Sequence, residues 1–149
     1  MREKSKLYRK RVLLVLVIIA GSLLVWFLLL MPMIYNPMRR PAPLIRLHIL
    51  RHIPIGTCIE EAVEVIENNE RWGAPVINRY SGFWHPTLFV DGPDGSRITA
   101  IIGEQSVQAW PEIYNVPLFH ERRVRIFWGF DEEGKLMEVF VNSIFAFRI

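Results

Sequence analysis

The longest hydrophobic run in the chain extends from Val12 to Met31 and contains no charged residue. As a helix, a run of this length spans about 30 Å, which matches the hydrocarbon core of a bilayer. Tyr35 follows where an amphipathic ring favours the membrane interface. The pattern predicts a transmembrane helix within residues 12–35. A buried core helix of a soluble protein is the alternative interpretation, and so long a run without charge disfavours it.

A different pattern begins after residue 44. The apolar residues of Ile45–Ile53 largely alternate with polar ones, which predicts a short extended segment or connector. An amphipathic helix is expected next, with Thr57 as its N-cap and Glu60 completing a capping box. Its apolar stripe repeats at helical spacing. The stripe consists of Ile59, Ala62, Val63 and Ile66.

Strand patterns follow the helix. Thr87–Val90 and Arg97–Ile102 flank the turn sequence D-G-P-D-G-S, and Ser106–Trp110 is a further candidate strand. The clearest hairpin joins residues 122–130 to residues 135–141 through the loop D-E-E-G. Its expected core positions are Val124, Ile126, Trp128, Phe130, Met137, Val139 and Val141. The fold class is therefore predicted as α+β, with the N-terminal transmembrane helix followed by one amphipathic helix packed on an antiparallel sheet of about four strands.

The length of 149 residues allows one ordinary soluble domain, predicted over residues 44–149. The apolar run exceeds the ~7–15 residues usual in a signal peptide, and no small-x-small cleavage site follows it. An uncleaved signal-anchor is therefore expected. The segment between anchor and domain, residues 36–43, is rich in proline, which favours extended backbone and predicts a semi-rigid stalk.

Charge is distributed unevenly, although the net charge of the chain is only +3. Residues 1–11 hold six basic residues and one acid, whereas residues 52–149 hold eight basic residues and fourteen acids. By the positive-inside rule, the basic tail predicts a cytoplasmic N-terminus and a domain outside the cytoplasm, on a single-pass protein of the cell membrane. Nucleic-acid binding needs positive charge on the folded part, so the acidic domain argues against it.

Few residues suggest catalysis. No nucleophile elbow, P-loop, dinucleotide fingerprint or zinc-protease motif occurs, so neither an enzyme nor a cofactor is expected. His48 and His52 have a spacing that chelates metal on a helix, but they lack a third ligand at a recognised spacing, and no metal site is predicted. Asp91 and Asp94 only faintly resemble a calcium loop, and turn chemistry explains them better.

The single cysteine, Cys58, excludes an internal disulfide. It falls in the first turn of the predicted helix, where a small residue packed beneath the helix start is the favoured interpretation. An intermolecular disulfide formed outside the cytoplasm is the alternative.

Aromatic residues provide the candidate binding surface. Trp72, Trp84, Trp110 and Tyr114 lie in or beside predicted loops, where Trp and Tyr often anchor partner surfaces. The alternative is that these side chains cap the ends of a small core.

Three sequence strings carry a resemblance: H-I-P-I-G-T-C-I-E-E-A-V-E-V-I-E-N-N, I-G-E-Q-S-V-Q-A-W and R-V-R-I-F-W-G-F-D-E-E-G-K-L-M-E-V-F-V. They resemble a recurrent uncharacterised family of small single-pass membrane-anchored bacterial proteins, which implies an architecture and no activity. A weaker likeness links the chain to the small outer-membrane-assembly lipoproteins and the β-lactamase-inhibitor-like fold, whose members bind proteins.

The expected function is that of a membrane-anchored protein whose extracytoplasmic domain binds a protein or envelope component, with the lipid bilayer as its other partner. Two alternatives stay open. One is an envelope enzyme with no recognisable motif, and the other is a structural accessory subunit of a membrane complex. In the second case Gly21 and Ser22 would permit a close approach between membrane helices.

Overall fold

A computed structural model of the chain describes residues 2–92, 96–115 and 121–146. The chain divides into two compact units, Met1–Asn36 and Pro37–Ile149. The first unit is one continuous helix in which α1 (Arg2–Val25) passes through a π-helical stretch, Trp26–Leu30, into α2 (Met31–Tyr35). Within it, the Ser22 hydroxyl donates to the carbonyl oxygen of Ile18 at 2.9 Å, which satisfies this polar group inside the apolar run.

Residues Arg9–Tyr35 form a helix that is long and apolar enough to cross a membrane. None of the most hydrophobic 18-residue stretch of this helix is buried. In the core helix of a soluble protein, most of such a stretch is buried. The helix therefore has the length, composition and exposure of a membrane anchor or a signal sequence.

The described residues of the second unit form two antiparallel sheets. The strands are β1 (Pro75–Asn78), β2 (Phe83–Asp91), β3 (Arg97–Ile102), β4 (Gln105–Ala109), β5 (Tyr114–Asn115), β6 (Glu121–Phe130) and β7 (Leu136–Ala146). In the main sheet β1 pairs with β4, and β4 and the short β5 both pair with β6. Strand β7 pairs along the full length of one edge of β6, while β4 and β5 pair with different parts of its other edge. The sheet is therefore four strands wide. Strands β2 and β3 form the second sheet.

Helices α3 (Ala42–His52) and α4 (Ile59–Glu67) contribute buried residues to the core on one face of the main sheet. This confirms the predicted α+β class. The largest fully buried core side chains are Met38, Ile45, Ile49, Ile53, Ile59, Ile66, Trp72, Ile126, Trp128, Phe130 and Leu136. Burying these side chains stabilises the fold at about 25 cal/mol per Å² of apolar surface removed from water.

The prediction of an extended segment at Ile45–Ile53 is wrong, since most of it is helix α3. Ile45, Ile49 and Ile53 are fully buried and repeat every four residues, which places them on one helix face. The helix contacts β7, where Arg46 Nε donates to the carbonyl oxygen of Val139 at 2.8 Å. This hydrogen bond occupies a backbone carbonyl group with which another strand could otherwise pair.

The apolar stripe of α4 is confirmed, but the predicted capping box is not. Cys58 is the N-cap and makes no side-chain cap hydrogen bond, while the Thr57 hydroxyl donates to the carbonyl oxygen of Pro54 at 2.7 Å. The first free amide of the helix, that of Ile59, donates to the carbonyl oxygen of Gly134 at 2.8 Å. The β6–β7 loop thus replaces the side-chain cap.

The β6–β7 hairpin is confirmed, with one error in its predicted core face. Met137 is half exposed, and Leu136 is buried in its place. The register shifts between Gly129 and Phe130, which pair with Glu138 and Leu136. Met137 is therefore the extra residue of a β-bulge, and its side chain leaves the core face.

The β2–β3 hairpin packs on the face of the main sheet opposite the helices. Phe83 is buried and stacks on Phe127, with ring centroids 5.4 Å apart, and it lies 6.4 Å from Phe140. Phe127 alternates with the core residues of β6 and so points to the other face. A second, smaller apolar cluster results, and it fixes the base of the hairpin to the sheet.

Most of the segment predicted as a stalk belongs to the second unit. Pro37–Arg39 is a 3-10 turn, and Met38 is fully buried in the core. Arg122 on β6 donates from Nη1 to the carbonyl oxygen of Arg39 and from Nη2 to that of Arg40, both at 2.7 Å. These contacts hold the segment against the sheet instead of leaving it as a free spacer.

Candidate functional site

The structure separates the four predicted aromatic residues into two pairs. Trp72 and Tyr114 are buried, at 1% and 4% exposed, so they belong to the core and do not line an exposed surface. Trp84 and Trp110 are exposed, at 63% and 45%. The interpretation of these residues as core caps therefore fits the first pair, and the prediction of a binding surface is restricted to the second.

Trp84 lies on the exposed part of the β2–β3 hairpin with five other apolar side chains, each at least 45% exposed. We call this set the hairpin patch. It consists of Trp84, Leu88, Phe89, Val90, Ile98 and Ile101. Several apolar side chains exposed in this way are unusual on a soluble surface, so the hairpin patch is the candidate interaction surface.

The register of the hairpin explains how the hairpin patch is arranged. Trp84 pairs with Ile101, so their side chains share one face, and Val90 pairs with Ile98 on the other face. Between Trp84 and Phe89 the pairing is interrupted, which places Leu88 in an irregular stretch. Among the described strands, β2 and β3 pair only with each other, so no described strand pairs with the outer edge of either one. The ribbon therefore offers apolar side chains and two strand edges to a partner.

A second feature is a cleft of about 480 Å³ between α3, the segment before it and the loop after α4. We call it the histidine cleft. It is lined by Pro37, Met38, His48, His52, Asn68, Asn69, Glu70, Arg71 and Trp72. His48 and His52 occupy successive turns of α3, with ring centroids 4.6 Å apart. Both rings meet Trp72 edge to face, at 6.3 and 5.8 Å, and this buried indole supports them from below.

Positive charge surrounds His48. Partial burial lowers the pKa of His48, and the nearby His52, Arg40 and Arg51 lower it further. Glu70 is the only acid among the described residues that line the cleft. The cleft therefore carries a positive potential within a domain whose overall charge is negative.

The remaining candidate residues stay apart. Among the described residues, no group of three His, Cys, Asp or Glu side chains is close enough to hold a metal ion. Cys58 is a free and exposed thiol, so the interpretation that it is packed beneath the helix start is wrong. The intermolecular disulfide stays a prediction. Asp91 ends β2, and Asp94 lies outside the described residues.

Sequence reasoning missed the histidine cleft because it placed His48 and His52 on an extended segment. The repeat of Ile45, Ile49 and Ile53 was the signal for a helix, and on a helix the two histidines share a face. Arg71 carried no signal, since it reaches the cleft only through the packing of the loop after α4. Comparison with family models, with curated proteins and with solved structures finds no match for this chain, so its resemblance to membrane-anchored bacterial proteins stays a prediction.

Proposed function

We propose that this protein is a single-pass membrane-anchored binding protein whose folded domain docks a partner protein through the hairpin patch. The observation that carries the proposal is the cross-strand pair of Trp84 and Ile101, which are 63% and 48% exposed on one face of a ribbon. Large aromatic and aliphatic side chains grouped in this way are the usual anchors of protein interfaces.

The partner that fits the ribbon is a protein with an extended apolar segment. An isolated two-stranded hairpin is marginally stable in water, and this one carries apolar side chains on both faces beyond its base. A partner strand added to an outer edge of the ribbon would pair with the backbone there, and its side chains would cover the hairpin patch. Both contributions favour a protein over a small molecule.

The anchor in this proposal is the uncleaved helix within residues 12–35, with the N-terminus in the cytoplasm. The exposed apolar surface of the helix and the basic residues before it support this arrangement. Fusion of alkaline phosphatase to the C-terminus tests the sidedness, because the enzyme is active only outside the cytoplasm. We expect an active fusion whose band keeps the full-length mass, and an inactive fusion would reverse the orientation.

Site-specific photocrosslinking in intact cells tests the docking surface. A photoreactive p-benzoylphenylalanine at Trp84 should yield a discrete protein adduct, and the Ile101→Ser substitution in the same chain should abolish it. The matched control places the probe at Met137, which is also half exposed but lies on β7. Equal adducts from both positions, or crosslinks from Trp84 to lipid alone, would contradict the proposal.

A further inference from the structure

The histidine cleft brings together groups that bind anions. His48 and His52 on α3 line the same recess as Asn68, Asn69 and Arg71. Imidazolium, guanidinium and amide groups all donate hydrogen bonds, and a phosphate accepts several at once. The recess is also large enough for such a group, at about 480 Å³.

Charge along the chain supports the same assignment. Residues 39–52 contain four arginines and two histidines without a single acid, although the domain as a whole has more acids than bases. Of the four arginines, Arg40 and Arg51 lie close enough to His48 to influence its charge, and Arg46 is paired with Glu138 at 2.8 Å. Arg40 and Arg51 therefore add positive charge near His48, which lines the cleft.

The hydrogen bond of His52 determines which ring nitrogen is available. His52 Nδ1 lies 2.9 Å from the carbonyl oxygen of His48, and since a carbonyl only accepts, Nδ1 carries the proton. In the neutral ring Nε2 is then an acceptor, which repels an anion. Uptake of one proton turns Nε2 into a donor. Binding of an anion and protonation of this ring are therefore coupled.

We propose that the histidine cleft binds a phosphate group through His48, His52 and Arg71. This proposal does not depend on the hairpin patch, which lies on a different element. Two sources can supply the phosphate, namely an anionic lipid headgroup and a free phosphate compound. Pro37, which lines the cleft, follows Met31, the end of the apolar run, by six residues in the sequence.

The affinity for phosphate should rise as the pH falls. Bound phosphate stabilises the protonated form of His48 and so raises the pKa of this group, while the arginines keep their charge throughout. The other charged groups facing the histidines are Arg40 before α3, Arg51 on α3, and Glu70 and Arg71 in the loop after α4. Glu70 is the only acid among these described groups.

Histidine-selective NMR of the full chain in an uncharged detergent provides the test. Inorganic phosphate is titrated at pH 6 and pH 8, with sodium chloride at matched ionic strength as the reference. We expect the ring signals of His48 and His52 to move at pH 6, those of His85 to stay, and the movement at pH 8 to be smaller. The same signals moving equally with sodium chloride, or not moving with phosphate, would overturn the proposal.

Two variants and two membranes complete the test. Arg71→Gln should weaken phosphate binding about tenfold, whereas Arg79→Gln, which removes an exposed arginine paired with Glu60, should leave it unchanged. If both variants behave alike, the assignment fails.

Nanodiscs of phosphatidylglycerol and of phosphatidylcholine, without added phosphate, then distinguish the two sources of the phosphate group. Ring signals of His48 and His52 that move in phosphatidylglycerol but not in phosphatidylcholine identify a headgroup ligand, and a response to inorganic phosphate alone identifies a free one.

Discussion

Arg122 on β6 donates from Nη2 to the carbonyl oxygen of Arg40, 82 residues earlier in the chain, at 2.7 Å. The same guanidinium reaches the carbonyl of Arg39 and, through Nε, the Ser143 hydroxyl at 2.8 Å. Arg122 is only 6% exposed, and burial lowers its pKa, which nearby Tyr114 partly opposes. One side chain therefore fixes the segment that enters the domain to the beginning of strand β6.

Replacing this arginine should destabilise the domain strongly. Arg122→Met keeps the apolar length of the side chain but leaves two carbonyl groups without their charged donor, and we expect a loss of about 3 kcal/mol in the free energy of unfolding. Urea unfolding of the full chain in detergent, followed by tryptophan fluorescence, measures it. The neighbouring Arg123→Met is the control, because this exposed arginine lies 3.6 Å from Glu121 and should contribute less than about 1 kcal/mol. Equal losses would contradict the assigned role.

The two classes of tryptophan should respond differently to the same substitution. Trp72→Ala removes a fully buried indole that contacts Trp128 and both histidines of the cleft, and it should cost about 3–5 kcal/mol of stability. Trp84→Ala removes an indole that is 63% exposed and should change stability by less than about 1 kcal/mol. Urea unfolding separates the two cases. A large loss for Trp84→Ala would show that the hairpin patch is structural.

Local patterns were sufficient to predict the hairpin β6–β7 and helix α4. In each, the period of the apolar residues matches the face that is buried, as in the alternation of Val124, Ile126, Trp128 and Phe130. Helix α3 was missed because Leu44 and Leu47 are apolar but half exposed, which obscures the repeat of the buried isoleucines. Met137 was misplaced because a bulge shifts the register without leaving a signal in the pattern.

The candidate sites were less predictable because burial depends on tertiary packing. Trp72 and Trp84 both lie near predicted loops, yet one is enclosed by α3 and the sheet while the other projects from a hairpin. The histidine cleft also depends on tertiary packing. His48 and Arg71 are far apart in the chain, and only the packing of α3 beside the loop after α4 brings them together.

Gly103 should tolerate no side chain. Its φ is +79°, and an added Cβ would lie 2.5 Å from the carbonyl oxygen of Phe130 and 2.8 Å from its nitrogen. Gly56 has a similar φ of +90° but open space around it. Its substitution by alanine therefore measures the energetic cost of the backbone conformation alone. Gly56→Ala should lose about 1–2 kcal/mol, and Gly103→Ala clearly more, because backbone must move as well. Equal losses in urea unfolding would show that the contact with Phe130 relaxes without cost.

Stability should depend on pH through His48. The pKa of His48 is lowered in the folded domain by its burial and by the charges of His52, Arg40 and Arg51. Unfolding removes these effects, so the unfolded chain binds more protons in the interval between the two pKa values, and stability rises with pH there. The contribution of neutral His48 to stability is complete above the pKa of this group in the unfolded chain, which is about 6.5. The contribution is lost as the pH falls from that value towards the pKa of His48 in the folded domain.

The measurement compares the free energy of unfolding at pH 7.5 and pH 5 for the wild-type chain and for His48→Asn. Between pH 7.5 and pH 5, we expect the free energy of unfolding to decrease less in His48→Asn than in the wild-type chain, because asparagine does not titrate. This expectation holds whatever the stability of the variant at pH 7.5. Adding phosphate to the wild-type chain should reduce the same decrease, since a bound anion favours the protonated ring. An unchanged pH dependence in His48→Asn would show that other groups cause it, and an unchanged dependence with phosphate would count against the anion site in the histidine cleft.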